Sequence, residues 1–275
     1  MSRSSASTSD GWRLLVDAPA SGAWNMAVDE VLLDGVAAGT TPPTIRFYGW
    51  TPPCLSLGYF QPFDVVDVDG CRALGVDVVR RPTGGRAILH DRELTYSVAL
   101  PASVLGQDGG VLPSYYRLSL VLQDGLRRLG VPATLAPESA RSSAEHGPVC
   151  FDRPSAHEIL LHGRKLVGSA QMRRGGGLLQ HGSILIEPHM DKLLACLHQT
   201  DGERGLEEGV AGLAELGVTD VGSIASAVGA AFVAGFGVRL VEAPLRPEEE
   251  EAVRALARSK YQSTRWTQRP VPAIA

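Results

Sequence analysis

Arg80-Arg81-Pro82-Thr83-Gly84-Gly85-Arg86-Ala87-Ile88-Leu89-His90-Asp91 lies between two strand-like runs, Val76-Asp77-Val78-Val79 and Leu94-Thr95-Tyr96-Ser97-Val98-Ala99-Leu100. A glycine turn joining two strands with no helix between them means that strands here pair in runs, whereas a parallel α/β fold alternates strand with helix. Further strands are expected on either side, at Trp12–Val16, Thr44–Tyr48, Cys54–Gly58 and Leu178–Ile186. Helical spacing of apolar residues places helices at Ala23–Leu33, Asp64–Gly75, Ser114–Leu129, Val221–Phe236 and Glu248–Tyr261. The run Glu158–Gly168 reads as a hairpin turning at His162-Gly163, which sets Lys165 early on its second strand. The expected class is α+β, with mixed sheets flanked by helices.

Composition narrows the function. At 275 residues and 44% hydrophobic content the chain can bury a large core, read here as one domain over 11–262, a disordered lead-in at 1–10 and a C-terminal tail at 263–275. With 26 basic and 30 acidic side chains the net charge is −4, which gives no general attraction for nucleic acid and no polybasic membrane patch. The start lacks the apolar core of a signal peptide, and no run approaches the roughly 20 apolar residues of a membrane span. Cys54, Cys71, Cys150 and Cys196 are widely spaced, as reduced thiols of a cytoplasmic protein are.

Three segments carry chemistry. Cys150 opens Cys150-Phe151-Asp152-Arg153-Pro154-Ser155 after the small, polar stretch Ala140–Pro148, an exposed loop by composition. About fifteen residues on comes Gly163-Arg164-Lys165-Leu166-Val167-Gly168-Ser169-Ala170-Gln171. A free thiol with pKa near 8.5 is only a few per cent thiolate at neutral pH, so a neighbouring ammonium such as Lys165 would raise its reactive fraction and polarise a thioester carbonyl. Cys54, Cys71 and Cys196 read as buried, inert thiols. Lys165 in isolation would be an ordinary solvated hairpin lysine; the small residues Gly168, Ser169 and Ala170 beside it favour a site. The glycine loop offers bare backbone amides, while Arg80 and Arg81 suit a phosphate, of a nucleotide or of a phosphopantetheine arm. His157, His162 and His181 lack the paired spacing of a zinc site, and no metal is expected; His157 or His181 either orients or assists Cys150 or is a satisfied structural histidine. Together the segments point to acyl transfer.

The same residues carry a family resemblance. Asn25-Met26-Ala27-Val28-Asp29-Glu30, Arg80–Asp91, Gly163–Gln171 and Leu179-Gln180-His181-Gly182-Ser183 resemble the lipoate-protein ligase and octanoyltransferase family, which shares a catalytic fold with biotin-protein ligases and class II aminoacyl-tRNA synthetases. Cys150 with Phe151 and Pro154-Ser155, and Lys260-Tyr261-Gln262-Ser263-x-x-Trp266, are similar to its thiol-dependent octanoyltransferase branch. Arg86 departs from the pattern, standing where the family has a third glycine.

The resemblance implies transfer of an octanoyl group from acyl carrier protein, through a thioester on Cys150, to a lysine of a lipoyl carrier such as the glycine cleavage H protein. Lys165 would lower the thiol's pKa and contact the acyl carbonyl. Arg80, Arg81, Thr83, Gly84, Gly85, Ala87, His90, Gly168, Ser169, Ala170, His181 and Gly182 would bind substrate. No cofactor is implied, and the enzyme is expected to act as a monomer without nucleic acid or membrane. Two related chemistries stay open, an ATP-dependent lipoate-protein ligase and an amidotransferase that takes octanoyl from the H protein. So does a catalytically silent protein that holds lipoyl domains.

Overall fold

The computed structural model describes residues 11–106, 110–138, 157–198 and 209–269. The expected lead-in at 1–10, the loop Ala140–Pro148 and Cys150 lie outside them, as do the last residues of the expected tail. The strands are β1 (Trp12–Val16), β2 (Thr44–Tyr48), β3 (Cys54–Leu57), β4 (Asp77–Arg80), β5 (Ile88–His90), β6 (Glu93–Pro101), β7 (Ala133–Leu135), β8 (Ile159–Leu161), β9 (Arg164–Arg174), β10 (Gly177–Leu185) and β11 (Leu240–Glu242). The helices are α1 (Gly22–Ala38), α2 (Val68–Ala73), α3 (Val111–Arg128), α4 (Met190–Ala195), α5 (Val221–Phe236), α6 (Pro247–Leu256), which runs on as a wider π turn over Ala257–Tyr261, and α7 (Thr264–Thr267).

Eight strands form one sheet in the order β11-β1-β2-β6-β10-β9-β8-β7, and three form a second, β4-β3-β5. β1 runs parallel to both β2 and β11, and β3 parallel to β4; the other pairings are antiparallel. The middle strand β10 is buried at every position because both faces of the large sheet are covered. On one face α3 and α5 pack Leu118, Leu122, Ile224 and Phe232 over Phe47, Val98 and Leu178. On the other, α1 brings Met26, Leu33 and Val36 onto Tyr48, Ala99 and Leu179. The small sheet closes its own core around Leu55, Leu57, Val66, Leu193 and the thiols Cys71 and Cys196. Gly125 lets α3 meet α5 closely: a Cβ there would stand 2.7 Å from the Cα of Val228.

Where the expected elements shift, local chemistry explains it. The helix expected over Asp64–Gly75 is confined to α2, because Asp67 is its N-cap and accepts the amide of Gly70 at 2.8 Å. Val66, just before that cap, instead bridges to Leu197. β5, read as part of the glycine loop, and β7 and β11 are strands not expected from the sequence; at three residues each they show too little alternation to detect. The stretch expected as a tail from 263 folds in part as α7, against β4. Among the described residues no helix is long and apolar enough to cross a membrane.

Candidate active site

The hairpin β8–β9 turns on His162 (φ 50°) and Gly163 (φ 80°), two consecutive left-handed residues of the kind a tight hairpin needs. Lys165, second on β9, is 1% exposed, and its Nζ donates to Glu158 Oε1 at 2.7 Å. Glu158, at the foot of β8, is itself 4% exposed. The lysine's main chain is fixed as well, its carbonyl accepting the amide of Ala211 at 3.0 Å.

Three residues along β9 from Lys165, a pocket opens between the two sheets. Gly168, Ser169 and Ala170 of β9 and His181, Gly182 and Ser183 of β10 form one wall, with Thr95 of β6. Ser56, Ile88 and His90 of the small sheet, with Arg81 and Gly85 of the glycine loop, face them; Met26, Tyr48 and Trp50 complete the lining. The register sets His181 opposite Ala170 and Gly182 opposite Ser169. Gly182 is required there, since a Cβ would meet the carbonyl oxygen of Gly168 at 2.6 Å.

The polar groups around this cavity bind one another. Asp29 of α1 accepts from Arg46 Nη1 (3.0 Å), Ser97 Oγ (2.8 Å) and the Tyr48 hydroxyl (2.9 Å), and pairs with His181 Nδ1 at 2.8 Å. Burial, the largest influence on Asp29, raises its pKa, but the His181 hydrogen bond and the Arg46 charge outweigh it and hold the carboxyl below its usual range. Burial also pushes the His181 imidazole below its usual pKa, against the pull of Asp29. A neutral His181 then donates Nδ1–H to Asp29, leaving Nε2 to accept the Thr83 hydroxyl at 2.7 Å. A second chain runs from Ser56 Oγ to His90 Nε2 and from His90 Nδ1 to Glu93 Oε1, each 2.7 Å. Glu93 also accepts from Thr95 and Ser183, and Thr95 from the Trp50 indole N–H at 2.7 Å. The Trp50 ring stacks on His90 with centroids 4.0 Å apart. With both ring nitrogens of His90 and His181 occupied, an alkyl chain entering the cavity strands few buried polar groups.

Of the residues expected at the site, Arg81, Gly85, His90, Gly168, Ser169, Ala170, His181 and Gly182 line the cavity. Thr83 stands behind His181, and Lys165, Gly84 and Ala87 are close in sequence to lining residues without lining it themselves. Arg80 points the other way: its guanidinium donates to the carbonyls of Gly58 (2.7 Å), Gln61 and Thr267 (3.0 Å). Cys150 lies outside the described residues. His157 adopts φ 66° and packs its ring 4.6 Å from that of Tyr116. Sequence reasoning missed Glu158, Trp50, Ser56, Thr95 and Ser183; the acidic Asp29-Glu30 pair inside an apolar helix was a usable sign of the network beneath.

Residues 21–233 match the sequence model of the lipoyl protein ligase A/B catalytic domain. The chain belongs to that family. Within the lipoyl ligase family it is 42% identical to a protein of Kyrpidia tusciae named octanoyltransferase LipM, over 94% of this chain and 98% of the relative. A Carboxydothermus hydrogenoformans protein of the same name is 41% identical over 93% of this chain and 97% of its own. A crystal structure of lipoate-protein ligase A bound with ATP superposes with TM-score 0.80 at 24% identity, over 94% of this chain and 98% of that one, which shows the shared fold.

Proposed function

We propose that the protein is an octanoyltransferase, moving an octanoyl group from octanoyl-acyl carrier protein through a thioester on Cys150 to a lysine of a lipoyl carrier such as the glycine cleavage H protein, in the cytoplasm. The observation that carries this reading is the pocket between β9, β10 and the glycine loop, whose imidazoles are already hydrogen-bonded and so suit an alkyl chain. The near full-length likeness to proteins named octanoyltransferase supports it. The buried thiols Cys54, Cys71 and Cys196 are free, in keeping with a reducing compartment.

In the first step the Cys150 thiolate attacks the donor's thioester carbonyl; a carbon–sulfur bond forms, the donor's carbon–sulfur bond breaks, and the carrier leaves as a thiolate that takes up the proton Cys150 gave up on ionising. In the second, the neutral amine of the acceptor lysine attacks the acyl-enzyme, the amide forms, and the Cys150 thiol is regenerated. Exchange of one thioester for another is close to balanced and the amide is the more stable product, so neither step calls for ATP. Lys165, paired with Glu158 and out of water, supplies a fixed positive charge for the thiolate and for the oxygen that becomes negative during each attack.

Intact-protein mass spectrometry after mixing the enzyme with octanoyl-acyl carrier protein in the absence of ATP tests this. The expected result is a hydroxylamine-labile octanoyl adduct on the wild type and none on Cys150→Ala, with Cys54→Ser, Cys71→Ser and Cys196→Ser each retaining it. Lipoylation of a carrier only with ATP and free lipoate would instead make the protein a ligase, and octanoyl taken only from the H protein an amidotransferase.

A further inference from the structure

The last described residues are bound to the wall of the cavity by two strings of contacts. The first begins on α1, where Lys260 Nζ donates to both carboxylate oxygens of Glu30, at 2.8 and 2.6 Å, and the Tyr261 hydroxyl donates to the same group. From that anchor Trp266 reaches β4. Its indole N–H donates to the Arg80 carbonyl at 2.9 Å, and Arg80 Nε–H donates back to the Thr267 carbonyl at 3.0 Å. Arg80 also grips Gly58, and Gly58 lies so close beneath the glycine loop that a Cβ on it would fall 1.8 Å from the carbonyl oxygen of Gly85. Gly85 is cavity wall.

The second string starts at Arg269. Its Nη2 donates to the Tyr59 carbonyl at 2.6 Å while its guanidinium lies 3.5 Å from the Tyr59 ring centroid. The Tyr59 amide in turn donates to the Thr83 carbonyl at 2.8 Å, and Thr83 holds the cavity-lining His181. Neither Trp266 nor Arg269 lines the cavity, yet each is three contacts from a residue that does.

We propose that Lys260–Arg269 is a positioning clamp for the acyl cavity, in which Trp266 and Arg269 fix the glycine loop and so set the affinity for the acyl donor without touching the acyl group. The donor part of this inference rests on the octanoyltransferase reading; the clamp itself does not. Hydrogen bonds to main-chain carbonyls act at a distance here because the loop they steady carries glycines, which have the most conformational freedom to lose.

The full chain would be compared with Trp266→Phe, Trp266→Ala and Arg269→Gln by three readouts: steady-state octanoyl transfer from octanoyl-acyl carrier protein, hydrogen exchange of peptides spanning 81–86, and thermal midpoint. Trp266→Ala is expected to raise KM for the donor about tenfold with kcat within about twofold, and to quicken exchange over 81–86. Trp266→Phe keeps a ring for Lys260, whose Nζ sits 4.0 Å from the Trp266 centroid, and loses only the N–H, so about a threefold rise in KM is expected, the scale of one hydrogen bond. Should Trp266→Ala fail to fold, Trp266→Phe and Arg269→Gln carry the test. A lower midpoint with unchanged KM and unchanged exchange overturns the clamp, as does unchanged exchange over 81–86 whatever the activity. A wild type that transfers no octanoyl group sinks the acyl-donor reading separately, and with it the affinity half of the inference.

Discussion

Lys165 Nζ and Glu158 Oε1 meet at 2.7 Å across the base of a hairpin, with both side chains buried. A desolvated ion pair stands or falls on both members, because removing one leaves the other's charge buried without it. Glu158→Gln is therefore expected to cost about 3 kcal/mol in urea unfolding and to lower octanoyl transfer at least tenfold. A variant matching the wild type in both would mean that Lys165 is held and charged by other groups.

Glycines of the loop region differ in what they tolerate. A methyl at Gly58 meets main chain at 1.8 Å and has no flexible neighbour to displace, whereas one at Gly84 meets nothing within 4 Å. Gly58→Ala should lose about 2 kcal/mol or more and raise KM for the acyl donor, while Gly84→Ala should stay within about 0.5 kcal/mol of wild type. Equal unfolding midpoints for the two variants would show that the loop shifts freely off Gly58.

His181 is expected to be neutral, with its proton on Nδ1, at pH values where an exposed histidine is half protonated. Burial lowers its folded pKa below 6.5, so below that pH the unfolded chain binds the extra proton first and stability declines as pH falls, until the folded pKa is passed. Long-range nitrogen–carbon NMR correlations of the imidazole would read both tautomer and titration. A midpoint at or above 6.5 would show that the Asp29 carboxylate outweighs burial.

Glu249 also loses its contribution as pH falls, but in a lower range. Burial alone would raise its pKa, but hydrogen bonds from Arg13 (2.7 and 3.2 Å) and Arg246 (2.8 Å) bring it down to about 2. Its stabilising effect should be fully present above about pH 4.5, the ordinary value, and vanish as pH falls through about 2. Glu249→Gln should accordingly be less stable than wild type at pH 7 and draw level with it in strong acid. A gap that is constant from pH 7 to pH 2 would place the effect in packing.

Local signals in the sequence mark much of this site, and they stop where distant strands meet. His162-Gly163 announces the hairpin because two left-handed residues in a row are demanded by so tight a reversal, and Lys165 follows from it. The glycine loop is equally plain. Glu158 was passed over although it is only seven residues from Lys165, since a polar residue at a strand's foot usually faces water. Ser56, Thr95 and Ser183 read as ordinary positions of apolar strands; only the pairing of β6 with β10, across 88 residues of chain, brings Thr95 opposite Ser183 and both onto Glu93. Arg80 and Arg81 look alike in sequence, but adjacent residues of an extended segment point to opposite sides, so one faces the cavity and the other grips Gly58. The family resemblance covered the motifs and gave no hint of the C-terminal clamp's connections.

The parallel placement of β11 beside β1 bears on synthesis at the ribosome. Trp12, Arg13 and Leu14 are translated well before their neighbours on one side, Leu240, Val241 and Glu242, which follow them in the chain by 228 residues. Arg13 likewise waits for Glu249. Until those residues emerge, the nascent chain carries a bare strand edge, open to pairing with other nascent chains and to holdase chaperones. Expression yield should then depend on chaperone supply and elongation rate more than on the stability of the finished enzyme.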